Sequence, residues 1–358
     1  MKQPFCAGPF TQTFVLPNGD FRECCNTDPQ IVSSASWPSW WTKDQRLIDF
    51  RNQLKQDQWP AACVACKKEE ESTGKSFRTA LNKDFTIAEY PSRWAVMAGN
   101  TCNLACWSCH EEFSSKIEDD KRKLGILPIE FINPRSQFKD KWPELKQHIL
   151  DSYLHHEIVT LNFMGGEPTY NKTIAEFLKY LVDNNLSNRT KLELITNGTG
   201  APALFDKRYW HSTYIAISVD AIGKKSEWIR YGSKWDEVAA NIKFYNENSS
   251  YTELHCTLSI LNILAYPELK QYANNTGIKL VTNLLQQPRF MSIMSWDKPV
   301  ELDMKQFEEL GLTVYSDLLG SNPNNGSSIA LQKRIEQLGK NRMSLDDYYP
   351  ELAELIYR

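Results

Sequence analysis

The chain has 358 residues, which is long enough for one large catalytic domain with a smaller one, or for a single elaborated α/β barrel. Its 41% apolar and 24% charged residues exclude collagenous, disordered and membrane classes. The net charge of −3 provides no overall field for a polyanion, so we do not expect nucleic acid as a partner. No segment has the apolar character of a secretory signal or of a membrane span, and we therefore expect a cytoplasmic protein without a membrane partner.

The first predicted element is a β-hairpin near the amino terminus. Segments 10–16 and 20–24 are strand-like and flank Pro17-Asn18-Gly19, which is a strong signal for a tight turn. A hairpin at this position would allow Cys6 and Cys24 to converge.

A predicted helix over 43–58, with apolar residues at helical spacing, then leads to Cys63-Val-Ala-Cys66. A pair of cysteines separated by two residues is a common metal clip, and in a reducing compartment clustered cysteines are better interpreted as metal ligands than as disulfides. Cys25 is an alternative to Cys24 as a ligand. The first candidate metal site therefore consists of Cys6, Cys24, Cys63 and Cys66.

A predicted strand over 94–100 leads into a second cysteine group, Cys102, Cys106 and Cys109, with no fourth cysteine close behind. A loop of this length can wrap three thiolates around three corners of an iron–sulfur cubane, whereas structural clusters and zinc sites normally have four protein ligands. The fourth iron would then be free to bind S-adenosylmethionine (SAM) and to pass an electron to its sulfonium group. The alternative is a zinc site completed by His110 or a distant residue.

Further predicted strands and helices alternate along the chain, which favours the α/β class with a parallel sheet. Polar residues follow several of the strands, as expected when a ligand binds at the carboxyl ends of parallel strands. The predicted strands are 157–163, 191–196, 214–219, 253–260 and 279–283, and the predicted helices between them include 172–184 and 235–246.

Together these motifs resemble the radical SAM superfamily, and the resemblance implies a partial (β/α)6 TIM-type barrel. It implies that Cys102, Cys106 and Cys109 hold a [4Fe–4S] cluster, and that reductive cleavage of SAM yields a 5′-deoxyadenosyl radical that abstracts hydrogen from a substrate. The SAM-binding candidates that the resemblance implies are Gly165, Gly166 and Glu167, which precede Pro168, for the amino group, and Asn197, Ser218 and Arg230 for the ribose and carboxylate. One departure is Ser108, at a position that is often aromatic in the superfamily.

The amino-terminal thiols resemble those of the twitch domain, a shortened relative of the SPASM domain that carries an auxiliary [4Fe–4S] cluster. In the SPASM proteins this module follows the barrel, whereas here it precedes the barrel. A single zinc ion bound by the same four thiolates is the alternative. The expected domains are an auxiliary-cluster domain over 1–90, a radical SAM barrel over 91–300 and a helical extension over 301–358.

The expected function is a radical SAM enzyme of the oxidoreductase or peptide-modifying type, acting on a peptide or protein side chain. The alternatives are a dehydrogenase of a sugar-like small molecule and a non-catalytic zinc-binding interaction protein. A one-electron donor such as flavodoxin or ferredoxin is the expected redox partner. Cys256 lies within an apolar strand pattern and is interpreted as a core residue, with hydrogen donation to a substrate radical as the alternative. Segment 115–142 is interpreted as a polar insertion.

Overall fold

A computed structural model of the chain describes residues 4–25, 27, 33–34, 36–82, 89–128, 130–133, 138–201, 203–323 and 326–357. The strands within this part of the chain are β1 (Gln12–Val15), β2 (Phe21–Arg22), β3 (Arg93–Met97), β4 (Val159–Met164), β5 (Thr190–Thr196), β6 (Ser212–Ser218), β7 (Tyr251–Leu258) and β8 (Lys279–Leu284). The predicted strands are therefore confirmed, with ends that differ by a few residues.

The α-helices alternate with the central strands and continue beyond them. They are α1 (Gly8–Thr11), α2 (Trp37–Lys43), α3 (Gln45–Lys55), α4 (Val64–Thr73), α5 (Phe77–Leu81), α6 (Ser115–Lys123), α7 (Phe138–His155), α8 (Lys172–Asp183), α9 (Gly223–Ile229), α10 (Trp235–Asn248), α11 (Tyr266–Thr276), α12 (Met304–Glu309), α13 (Thr313–Leu318), α14 (Ser327–Leu338), α15 (Leu345–Tyr348) and α16 (Pro350–Tyr357). Short 3-10 helices lie at Ala61–Cys63, Pro168–Tyr170, Ser187–Arg189, Ala203–Phe205, Lys207–Tyr209, Arg289–Met291, Ile293–Ser295 and Gly339–Asn341. Among the residues described, no helix combines the length and the apolar character needed to cross a membrane.

The chain divides into two compact units. The first comprises Met1–Asn100, Ile132–Leu194 and Arg208–Thr213, and the second comprises Thr101–Phe131, Ile195–Lys207 and Tyr214–Arg358. In the first unit the strand order is β2-β1-β3-β4-β5, with only the β1–β2 pair antiparallel. In the second unit β6, β7 and β8 are parallel neighbours. The predicted α/β class with a mostly parallel sheet is thus confirmed.

The first unit contains the predicted hairpin. Leu16 N–H donates to the Asp20 carbonyl over 2.8 Å, and Gly19 closes the turn with a φ of 86°, which glycine adopts without a Cβ penalty. Strand β1 also pairs in parallel with β3, from Gln12 opposite Arg93 to Val15 opposite Val96. The hairpin therefore extends the parallel sheet of its unit.

The second unit carries a polar cluster on its three-stranded sheet, centred on Glu253 of β7. Tyr214 Oη donates to Glu253 Oε2 over 2.5 Å, Lys279 Nζ lies 2.6 Å from Oε1, and His255 Nε2 lies 3.2 Å from Oε2. Burial of Glu253 opposes ionisation, but the hydrogen bonds from Lys279, Tyr214 and His255 outweigh it and lower the pKa of Glu253 to about 2. The buried carboxyl group is therefore charged at neutral pH.

The helix expected over 43–58 begins only at Gln45, because Asp44 is extended and its side chain accepts from Arg46 N–H as an N-cap. Segment 115–142, interpreted as an insertion, begins with helix α6. Ser114 caps α6 by accepting from Ile117 N–H over 3.2 Å, and the Ile117 side chain is fully buried.

Candidate functional site

The loop that carries Cys102, Cys106 and Cys109 is held by the start of α6 in the second unit. Ser115 Oγ accepts from Cys102 N–H at 3.1 Å and lies 3.2 Å from the Cys102 carbonyl. Ser114 Oγ donates to the Leu104 carbonyl over 2.6 Å. The two serines therefore fix the first half of the loop by satisfying backbone groups that no regular element satisfies.

The second half of this cysteine loop is held by the segment that follows α9. Ala105 N–H donates to the Tyr231 carbonyl over 2.9 Å, and Trp107 N–H donates to the Ile229 carbonyl over 3.0 Å. The Trp107 ring stacks on Trp228 with 5.0 Å between centroids. This pairing places Arg230 beside the loop.

The three thiols of the loop are half-buried, and burial disfavours the thiolate form of Cys106 and Cys109. Burial raises the pKa of Cys106, and burial together with the neighbouring Cys106 raises the pKa of Cys109 to about 12. A bound metal centre removes the thiol protons because the metal's positive charge stabilises the thiolate. Three thiols on one eight-residue loop are a donor set that fits an iron–sulfur cluster with one open iron. In the part of the chain that is described, no group of three or more His, Cys, Asp and Glu residues is arranged to hold a single metal ion.

Asn197, which follows β5, lies against the same loop. Its Nδ2 donates to Asn103 Oδ1 over 3.0 Å and lies 3.9 Å from Cys102 Sγ. Its Oδ1 accepts from the backbone N–H and the hydroxyl of Thr199, at 2.9 and 2.7 Å. Every polar atom of the amide is therefore used to join this strand end to the cysteine loop.

Gly198 makes the turn after Asn197 possible. Its φ is +77°, and a Cβ at this position would lie only 2.8 Å from Ile217 Cγ2 and 3.3 Å from Val238 Cγ1. Both the backbone conformation and the lack of space require glycine here.

Ser218 and Arg230 also lie in the second unit, with different surroundings. Ser218 is half-buried at the end of β6, in register with His255 of β7. Arg230 Nε lies 2.9 Å from Asp220 Oδ2, and Asp220 Oδ1 accepts from Thr257 N–H at 3.0 Å. Although burial opposes the charged form of Arg230, Asp220 and then Cys106 raise its pKa. Sequence reasoning did not assign Asp220, and its position directly after a strand was the available signal.

The Gly165-Gly166-Glu167 motif lies in the first unit. Both glycines have positive φ, and a Cβ on Gly165 would lie 3.2 Å from Met97 Cβ. Glu167 is fully buried, and its Oε1 accepts from the backbone N–H and the hydroxyl of Thr169 at 3.1 and 2.7 Å. Its carboxylate thus caps the following 3-10 helix. Contact of Glu167 with a SAM amino group stays a prediction.

The first unit also brings the four amino-terminal cysteines together. Cys6, Cys24, Cys63 and Cys66 line one small pocket of about 20 Å³, together with Phe50 and Arg78 among other residues. Three of these thiols are buried and Cys63 is half-buried, whereas Cys25 is exposed and does not line the pocket. The hairpin region and the segment with Cys63 and Cys66 therefore bring these four thiols to one pocket, and Cys24 rather than Cys25 lines it.

Burial disfavours free thiolates in this pocket. It raises the pKa of Cys6 to about 11, and burial followed by the charges of Cys6 and Cys66 raises the pKa of Cys63 to about 12. Arg78, also in the pocket wall, forms an ion pair with Glu70 and donates to the Phe5 carbonyl. Four thiols suit a cubane or a zinc ion by donor type, but among the described residues they are not arranged around a single metal position.

Cys256 is separate from both groups. It is fully buried in β7, and its Sγ lies 3.4 Å from Asn262 Nδ2. The interpretation of Cys256 as a core residue is therefore confirmed.

The described part of the chain combines a mostly parallel α/β fold with a loop of three cysteines between β3 and α6. Residues 96–266, which contain this loop, match the profile of the family described as the Radical SAM superfamily. This match covers 171 of the 358 residues. Proteins of that superfamily hold a [4Fe–4S] cluster and bind SAM. No curated protein sequence matches the chain.

Several solved structures are similar to the chain at low identity. The structure titled "Native anSMEcpe with bound AdoMet" is 17% identical over 63% of this chain and 61% of that chain, with a TM-score of 0.39. Streptococcus suis SuiB bound to precursor peptide SuiA is 16% identical over 74% and 62%, with a TM-score of 0.35. TYW1 with a lysine-pyruvate adduct bound is 16% identical over 75% and 89%, with a TM-score of 0.34. The chain spans about three fifths of the length of the anSMEcpe and SuiB chains.

Proposed function

We propose that this protein is a radical SAM enzyme that cleaves SAM reductively and removes a hydrogen atom from a substrate. The observation that carries the proposal is the loop presenting Cys102, Cys106 and Cys109, whose backbone is fixed by α6 on one side and by the segment after α9 on the other. Such fixation keeps three thiolates in place for a cluster while leaving one iron without a protein ligand. Packing alone does not require such an arrangement, because the thiols are only half-buried.

Each candidate residue has a defined part in this proposal. Cys102, Cys106 and Cys109 would hold the [4Fe–4S] cluster, which with bound SAM supplies a 5′-deoxyadenosyl radical. Asn197 positions the loop through the hydrogen bond of its side-chain amide to Asn103. Arg230 has five N–H donors, so its pairing with Asp220 through Nε leaves others for the SAM carboxylate.

Ser218, Gly165, Gly166 and Glu167 complete the proposed SAM site by their match to the superfamily motifs. The positive φ of both glycines removes side chains from a strand end, so that the backbone can approach a ligand closely. Glu167 contributes by holding the conformation of this turn through Thr169.

We propose further that Cys6, Cys24, Cys63 and Cys66 hold an auxiliary [4Fe–4S] cluster in a twitch-like module. The support is the convergence of these four cysteines on one pocket. A single zinc ion at the same thiols is the competing outcome of the test below.

The proposed substrate is a peptide or protein side chain, and the proposed electron donor is a flavodoxin or ferredoxin. Both follow from the resemblance of the two cysteine groups to twitch and SPASM enzymes, which often act on peptides. A sugar-like small molecule is the alternative substrate class.

Metal content and SAM cleavage test the proposal directly. Protein purified without oxygen should be brown and contain about eight iron atoms per chain if both sites hold cubanes. After reduction it should release 5′-deoxyadenosine from SAM. The combined C102A, C106A and C109A variant should keep about half the iron and lose cleavage. The C256A variant, which removes a buried thiol outside both groups, should keep both properties. Colourless, zinc-loaded protein without SAM cleavage would contradict the proposal.

The substrate class needs a separate measurement. Peptides and sugars with deuterium at the candidate positions can be compared by mass spectrometry of the 5′-deoxyadenosine that is released. Transfer of deuterium from a peptide supports the proposed class, and transfer only from a sugar would replace it with the alternative.

A further inference from the structure

The carboxyl-terminal helical segment contacts the cysteine loop through two arginines in the second unit. Arg334 of α14 donates from Nη2 to the Cys109 carbonyl over 2.7 Å and to the Trp107 carbonyl over 3.2 Å. These bonds tie together the two ends of the Cys106-to-Cys109 turn, and they come from a residue more than two hundred positions away in sequence. Arg334 therefore fixes the part of the loop that neither α6 nor the segment after α9 holds.

Arg342, the second arginine, follows the 3-10 helix Gly339–Asn341 and has the less usual surroundings for a charged side chain. Its guanidinium carbon lies 4.3 Å from the Trp107 ring centroid and 5.0 Å from that of Tyr231. Its side chain is only 3% exposed. Within the described residues, none of its three guanidinium nitrogens has a hydrogen-bond partner. The carboxylate of Asp120 lies 4.0 Å away and also binds Lys116 at 2.8 Å.

A buried cation in this state is costly unless a further negative charge compensates it. Burial of an ionised group without hydrogen bonds costs more free energy than cation–π contacts return. Asp120 is shared with Lys116, so it compensates Arg342 only in part. Among the described residues, Cys106 of the cysteine loop is a further group whose negative charge, once ionised, acts on Arg342. A cluster held by this loop would add negative charge at the same place. A cubane core of charge 2+ with three thiolate ligands carries a net charge of about 1−, and reduction by one electron adds one more negative charge.

We propose that Arg342 is the buried counter-charge of the SAM-binding cluster and that Arg334 positions the cluster loop, so that together they raise the cluster's reduction potential. The inference rests on the proposed function. In the step concerned, a flavodoxin- or ferredoxin-type donor loses one electron and the cluster gains it, without bond formation or proton transfer. A fixed positive charge stabilises the more negative, reduced form over the oxidised form. Both arginines are positioning residues, since they contact the loop and not the reacting atoms.

The test is a redox titration of the full-length, iron-loaded protein. The reduced SAM-binding cluster is monitored by electron paramagnetic resonance, through the signal that changes when SAM is added. At the potential that half-reduces the cluster of the unaltered protein, R342Q should lower the ratio of reduced to oxidised cluster about tenfold, which is ~59 mV for one electron. R342K keeps the charge and should restore most of this ratio. The matched control is K333Q, which removes an exposed charge from the neighbouring helix α14 and should change the ratio less than about twofold because solvent screens it.

Thermal unfolding provides the second readout. In the iron-free protein R342Q should be at least as stable as the unaltered protein, because the uncompensated charge is gone. Loading with iron should then stabilise R342Q less than it stabilises the unaltered protein. The inference is wrong if R342Q takes up its full content of iron and the reduction potential of its cluster matches that of K333Q. It is also wrong if iron-free R342Q is less stable to heat than the iron-free unaltered protein. Absence of iron from the loop of the unaltered protein would instead refute the proposed function.

Discussion

Replacing Gly198 by alanine should destabilise the strand end that carries Asn197, and the loss can be worked out from the structure. A non-glycine residue at a φ of +77° costs roughly 1–2 kcal/mol. The new Cβ would also lie 2.8 Å from Ile217 Cγ2, closer than packed carbon atoms approach, and overpacking of this kind costs roughly 1–3 kcal/mol. The expected loss for G198A is therefore roughly 2–5 kcal/mol of unfolding free energy.

The matched control for this prediction is G277A. Gly277 ends helix α11 with a φ of +69°, but no atom lies within 4 Å of the position of its Cβ. G277A should thus lose only the backbone cost of roughly 1–2 kcal/mol. Urea unfolding followed by circular dichroism measures both variants under the same conditions. Equal losses for G198A and G277A would refute the steric reasoning. The weaker SAM binding expected of G198A, because Asn197 shifts with it, is measured by isothermal titration of the loaded protein.

Three further variants test other parts of the site. N197D places a carboxylate about 3.9 Å from Cys102 Sγ. At that distance the added negative charge disfavours the reduced cluster by between ~1 and ~4 kcal/mol. The reduction potential of the cluster should therefore fall further in N197D than in N197A, and equal reduction potentials would contradict the electrostatic explanation. C24A should lose the iron of the amino-terminal pocket, whereas C25A should retain it, since only Cys24 lines that pocket; equal iron contents would show that the ligand assignment is wrong. E253Q should reduce stability at pH 7 and have a diminishing effect in acid.

The sign of the E253Q prediction follows from the lowered pKa of Glu253. A carboxyl group has a pKa near 4.3 in the unfolded chain, and hydrogen bonds from Lys279, Tyr214 and His255 lower that of Glu253 to about 2 in the folded protein despite its burial. The stabilisation is thus complete above about pH 4.3 and is lost as the pH falls towards 2, with a full size of ~3 kcal/mol. Urea midpoints at pH 7 and pH 3 measure it. A difference between E253Q and the unaltered protein that is the same at both pH values would contradict this account.

The sequence predicted most of the sheet because its information there is local. Apolar runs that end in Gly165, Asn197 or Asp220 are sufficient to indicate buried strands with ligand-facing ends, and the structure confirms strands at each of these places. The convergence of the amino-terminal cysteines was also predictable, since Pro17-Asn18-Gly19 fixes a hairpin and the Cys63–Cys66 spacing fixes the second pair.

Long-range contacts were not predictable in the same way. Nothing local to β1 specifies that it pairs in parallel with β3, because the pairing depends on a register between segments about 80 residues apart. The buried environment of Arg342 and the hydrogen bonds of Arg334 depend on how the carboxyl-terminal helices pack on the cysteine loop. The capping role of Glu167 was hidden because its motif suggested a ligand contact, whereas Thr169 two residues later supplies the donors.

Release of 5′-deoxyadenosine tests the central claim most directly. The unaltered protein, loaded with iron, reduced without oxygen and incubated with SAM, should release this product. The combined C102A, C106A and C109A variant, which still has the amino-terminal thiols, should release none. Product from this variant at the rate of the unaltered protein, or no product from a fully iron-loaded unaltered protein, would contradict the assignment of the three-cysteine loop as the site of SAM cleavage.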